Sequence, residues 1–114
     1  MPAPRLPDAT AELVAHTMFA LSTPSRLHIL VCLRAGPRTV SEIVEAVGME
    51  QSAVSHQLRV LRDHSVVSMR RLGRSRQYSL CDEHIDALID SALDHVRAGE
   101  RSRREETDSG VPSR

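Results

Sequence analysis

The stretch GMEQSAVSHQLRVLR, Gly48 to Arg62, follows directly on SEIVEAV, Ser41 to Val47, and the join between them decides the fold. SEIVEAV has the apolar spacing of a short helix, with Ser41 opening it and Gly48 as its C-terminal stop. A second amphipathic helix is expected from about Gln51 to His64 after a three-residue turn. Two helices so closely joined, with Gly in the turn, form a helix-turn-helix.

Working outward, Thr23 is expected as an N-cap and Pro24 as the first residue of a helix reaching about Arg34, closed by Gly36 and Pro37. An earlier helix is expected from about Asp8 to Leu21, capped by Asp8 after Pro7. Downstream, VVSMRRL (66–72) and RQYSL (76–80) are β-rich runs flanking GRS, which reads as a hairpin with Gly73 where a positive φ is needed. A last helix is expected from about Asp82 to Ala98. The order α-α-α-α-β-β-α is a winged helix-turn-helix, mostly α with a small β-hairpin. No internal repeat is present.

The 114 residues suffice for one domain. MPAPRLP (1–7) carries three prolines and residues 99–114 are almost wholly polar, so both are expected as disordered tails around a domain at 8–98. Roughly 90 residues make a small core. With one Phe, one Tyr and no Trp, aliphatic side chains must fill it, and such a domain gains stability by pairing with its own copy. No run approaches the roughly 20 apolar residues of a membrane span, and the N-terminus lacks a signal peptide's apolar core. A cytoplasmic protein with no membrane partner is expected. Cys32 lies inside LHILVCL as a small hydrophobe, Cys81 completes no C-x-x-C, and no structural disulfide is expected.

Net charge is zero, yet residues 1–80 hold ten Arg against six Asp and Glu, while 81–114 hold five against nine. Between Glu50 and Arg76 there are six Arg and two acids, a local charge of +4. Every basic residue other than His is Arg, a planar donor suited to phosphate and guanine. At 100° per residue, Gln51, Ser52, Ser55, His56, Arg59 and Arg62 fall within roughly 140° of the expected fourth helix. Val54, Leu58, Leu61, Ala53 and Val60 fill the other side, with Gln57 the single polar intruder. A solvated face would look the same in isolation. Beside a hairpin carrying Arg70, Arg71, Arg74 and Arg76, it suits insertion between phosphate backbones. The rival readings are a winged helix used for protein contacts and a small enzyme. No nucleophile–base arrangement or Gly-rich phosphate loop supports the latter, so no enzymatic activity is expected.

ALSTPSRLHIL (20–30), GMEQSAVSHQLRVLR and GRSRQYSL (73–80) together resemble the ArsR/SmtB family of metal-responsive winged-helix repressors, over about Leu13 to Val96. Within it they most resemble the nickel-responsive regulators of actinobacteria. The resemblance implies a homodimer formed by the first and last helices, bound to double-stranded operator DNA. With the helical face and hairpin above, the expected DNA contacts are Ser41, Gln51, Ser52, Ser55, His56, Gln57, Arg59, Arg62, Arg70, Arg74 and Arg76. The resemblance also implies a metal effector. The family's thiolate site is absent, since TVSEIVEAV (39–47) holds no cysteine. The family's last-helix site is matched at Asp82, His84 and His95, while its fourth position is Ala98.

His84 and His95 stand about 20° apart around a helix but roughly 16 Å apart along it, so one chain cannot bring both to one ion. Two antiparallel copies would bring His84 of each near His95 of the other, giving two equivalent sites. Imidazole and carboxylate without thiolate suit Ni(II), Co(II) or Zn(II) rather than Cu(I), and the resemblance implies Ni(II) first among them. Water or another side chain must complete the shell: His16 is the candidate, with Cys81 and Glu100 behind it. If nothing does, metal affinity is expected to be modest; the rival reading gives the switch to a co-regulator protein or a non-metal signal.

Overall fold

The computed structural model describes residues 1–110, with side chains through residue 107. Its elements are α1 (Asp8–Ala20), α2 (Pro24–Leu33), β1 (Arg38–Thr39), α3 (Val40–Val47), α4 (Gln51–Asp63), β2 (Val67–Leu72), β3 (Ser75–Leu80) and α5 (Glu83–Gly110). Met1–Asp82 forms one compact unit and α5 belongs to a second. No helix among the described residues is long and apolar enough to cross a membrane.

Local chemistry sets the ends of these elements. Thr23 caps α2 as expected, its side chain accepting from the Arg26 amide, with Pro24 at the first helical position. Asp8, expected as the cap of α1, is instead its first helical residue; Pro7 holds the cap position and no side chain caps there. Asp8 pairs with Arg5 at 3.4 Å. Helix α3 begins one residue before the expected Ser41, because Thr39 and Glu42 form a capping box. The Thr39 amide donates to Glu42 Oε1 at 2.8 Å, and the Glu42 amide donates to Thr39 Oγ1 at 3.2 Å. Gly48 ends α3 at φ 72°, a left-handed geometry that glycine adopts without steric cost.

The sheet has the order β1-β3-β2 and is antiparallel throughout. The expected hairpin is present: Leu72 faces Ser75 across a two-residue loop that opens on Gly73 at φ 60°, as a two-residue hairpin turn requires. The third strand was not expected. It is only Arg38–Thr39, paired to Tyr78 and Gln77, so Thr39 is at once a strand residue and the cap of α3. The core of this unit is Ile29, Leu30 and Leu33 from α2, Ile43 from α3, Val54, Leu58 and Leu61 from α4, and Val66, Val67 and Tyr78 at the sheet.

The last helix departs furthest from expectation. It begins at Glu83 and continues through residues 99–110, which composition assigns to a tail. Residues 111–114 of that expected tail lie outside the described residues. Cys32 and Cys81 are both free, and burial pushes the half-buried Cys32 thiol up from its ordinary pKa, outweighing the opposing pull of Arg38.

The hydrogen bonds from the Thr39 amide and side chain hold the Glu42 carboxylate below its ordinary pKa. A carboxylate depressed by folding stabilises the fold above its ordinary pKa and stops doing so as pH falls through the folded-state value. Glu42→Ala is therefore expected to lower the thermal midpoint at neutral pH. Thermal melts between neutral and strongly acid pH should show the gap from the wild type closing across the carboxylate range.

Candidate nucleic-acid interface and metal centre

Helix α4 is held by one side only. Val54, Leu58 and Leu61 are buried, whereas Gln51, Ser52, Ser55, His56, Arg59 and Arg62 are all exposed. Its N-cap, Glu50, makes no side-chain bond to the first turn, so the backbone donors there remain available to an anion. Ser52 and Ser55 sit in the N-terminal half, where small hydroxyls permit close approach to base edges.

The hairpin supplies the second wall. A groove of about 560 Å³ runs between α4 and β3, lined by Gln51, Ser55, Arg59, Arg62, Arg76 and Tyr78 among others. Around the corner, Ser41 at the start of α3 shares a recess of about 310 Å³ with Arg74 and Arg76. Strand alternation separates the expected wing contacts. Arg71 lies directly across from Arg76, while Arg70 pairs with Gln77 and points to the other face. Arg71 thus shares a face with Arg76, and Arg70 does not. Two guanidinium groups facing each other across a strand pair repel, and an anion between them relieves that repulsion.

Gln57 belongs elsewhere. The structure turns it away from the reading face, and its Oε1 accepts from Arg26 Nη1 at 3.1 Å. Arg26 is the buried charged residue of the described chain, 6% exposed. Its Nε donates to the Ala20 carbonyl at 2.9 Å and its Nη2 to the Phe19 carbonyl at 3.1 Å, with the Phe19 ring centroid 5.2 Å from the guanidinium carbon. Arg26 was not among the expected site residues. The signal was there: it falls with Ile29, Leu30 and Leu33 on one stripe of α2.

The metal-candidate residues are not gathered in one chain. Among the described residues no three His, Cys, Asp or Glu side chains converge. Asp82 immediately precedes α5, His84 lies in its first turn, and His95 is further along the same unbroken helix. All three are exposed, as is Ala98. The surface beside His95 is made by Ala98, Gly99 and Ser102, with Val96 and Arg103 at its edges. His16, the candidate fourth donor, lies on α1 with its ring stacked on His64, the C-cap of α4, at 4.0 Å between centroids. His64 Nδ1 lies 2.9 Å from the Val60 carbonyl. Two imidazoles and a carboxylate are a donor set fitting a borderline divalent ion, but their spread along α5 requires a second chain to complete it.

A helix-turn-helix with an open polar reading face, beside an Arg-bearing wing, defines a winged-helix DNA-binding transcriptional regulator. Residues 23–68 match the family described as bacterial regulatory protein, arsR family. The HTH-type transcriptional regulator NmtR of Mycobacterium tuberculosis is 54% identical over 94 residues, covering 82% of this chain and 78% of that protein. The solution structure of apo-NmtR superposes with a TM-score of 0.67 at 47% identity, covering 99% of this chain and 88% of that one. The homodimeric winged helix-turn-helix DNA-binding domain from Mycobacterium bovis gives 0.72 at 30% identity, covering 96% and 100%. The chain belongs to the ArsR family of bacterial regulatory proteins, and its relatives are regulators rather than enzymes.

Arg74→Ala with Arg76→Ala is expected to weaken binding to every duplex and to flatten the logarithmic salt dependence by about one unit for each phosphate no longer neutralised. Ser55→Ala or His56→Ala should instead change which sequences are preferred, read by competition binding on a duplex library. A salt slope unchanged in the double variant would remove the wing from the interface.

Proposed function

We propose that this chain acts as a homodimeric, repressor-type regulator whose operator affinity responds to a divalent metal, Ni(II) first and Co(II) or Zn(II) as rivals. The two α4 helices read the operator and the wings grip the flanking phosphates. In this reading Asp82 and His84 of one chain and His95 of the partner subunit hold the ion. Held by these residues, a divalent ion would tie the two last helices together, and the pose of the two reading heads would then depend on its binding.

The observation that carries the reading is the unbroken course of α5 through both histidines, which fixes their separation and forbids a one-chain site. A second copy is also called for by α1, of whose residues only Ala20 is buried. Leu13 is 70% exposed, Phe19 55%, Met18 48% and Val14 44%, an apolar face in need of cover. The Mycobacterium bovis relative is described as homodimeric. A repressor of this kind works beside the chromosome, in the cytoplasm.

Ala98 favours a second reading, in which the incomplete shell leaves the switch to a co-regulator protein. Isothermal titration of the dimer with Ni(II), alongside His84→Ala and His95→Ala, separates the two. One ion per chain in the wild type, lost in both variants, is the expected result. Binding should also decline on acidification as imidazoles take up protons. Undiminished binding in both variants would remove α5 from the site, and no Ni(II) binding by the wild type would leave the co-regulator reading.

A further inference from the structure

We infer that Arg26 and Gln57 form a positioning joint that sets the pose of the reading helix α4 from the C-terminal end of α1. The joint does not touch DNA. It goes beyond the proposed function in assigning the route by which the state of α1 reaches α4, and in that respect it rests on α1 being a dimer helix.

The chemistry of the joint is specific to its two members. A guanidinium is planar, with donors at fixed angles, so it can grip two separate bodies and hold their relative orientation. Here Nε and Nη2 take the Ala20 and Phe19 carbonyls at the end of α1, while Nη1 takes the Gln57 amide oxygen on α4. The cation is offset by those carbonyls, at the negative end of α1, and by the Phe19 ring. No carboxylate is among its hydrogen-bond partners.

Gln57 makes sense only as the other half. It is half-buried on the side of α4 away from Ser55 and Arg59, where Val54, Leu58 and Leu61 supply the rest of the packing. An aliphatic residue would satisfy packing there. An amide is unfavourable in such a place without a partner, and this one has Arg26. Phe19, whose carbonyl is gripped, also carries one of the exposed apolar side chains of α1. Covering that face and orienting α4 therefore draw on the same guanidinium.

The full-length dimer with Gln57→Met or Gln57→Glu tests this. Methionine keeps length and packing but loses the acceptor, whereas glutamate keeps an acceptor for Arg26. A duplex is first selected by the wild type from a randomised pool, and a scrambled duplex of the same composition serves as control. Without metal, Gln57→Met is expected to bind the scrambled duplex like the wild type and the selected one about tenfold more weakly, the size of one mismatched base pair. Gln57→Glu should restore the ratio. A wild-type ratio in Gln57→Met, equal losses on both duplexes, or a Gln57→Glu that behaves like Gln57→Met would each overturn the joint.

A second arm repeats the measurement with Ni(II), where the wild type's metal-induced change in affinity should shrink in Gln57→Met. A wild type indifferent to Ni(II) defeats the metal reading, while the metal-free ratio still judges the joint. Thermal midpoints accompany both arms, since a merely structural tie would lower the midpoint and leave the ratio alone.

Discussion

Helix α4 must be held hard by half its circumference so that the other half can stay bare. Val54, Leu58 and Leu61 do the holding, fully or almost fully buried. Burial of side chains of this kind stabilises by about 1.5 to 3 kcal/mol each. The rest of the unit is arranged around that seat. Helix α2 contributes Ile29, Leu30 and Leu33, α3 contributes Ile43, and the sheet closes the far side with Val67 and Tyr78. A polar tie into that packing is the bond from Arg26 to Gln57. Removing the guanidinium would take its donor from the Ala20 carbonyl, at a cost of about 1 to 3 kcal/mol for a buried group left unpaired, whereas the Phe19 carbonyl keeps the Ser22 amide and hydroxyl.

The same unit shows what residue patterns can and cannot announce. Thr23–Pro24, Gly48 and Gly73 mark their boundaries because each requires a backbone geometry that few other residues adopt cheaply. The exposed face of α4 was legible for the same kind of reason, as a period of 3.6 residues. What escaped was anything created by pairing across the chain. Strand β1 is two residues long and exists only because Tyr78 and Gln77 are beside it. Gln57 reads as a DNA contact until Arg26, thirty-one positions away, occupies it.

Helix α5 escaped for another reason. Polar composition after Ala98 resembles a tail, yet Arg and Glu are strong helix formers and no proline intervenes before residue 110. Glu100 stands four residues before Arg104, an arrangement that supports a helix already under way. The candidate metal ligands are the reverse case. Their spacing was legible from the sequence, and the described residues hold no cluster of three such side chains, as a separation of roughly 16 Å along one helix dictates. Ala98 interrupts the pattern with a side chain that carries no donor atom.

The confrontation of Arg71 with Arg76 across the hairpin has a consequence for the wing's mechanics. Without a polyanion nearby, the two charges oppose the strand pairing that brings them together, and salt weakens that opposition. A phosphate backbone replaces repulsion by two attractions, so the strand tips should stiffen on the nucleic acid and fray away from it. If the wing grips the operator as proposed, its order is lent to it by what it grips, and amide exchange at its tip would record occupancy from the protein's side.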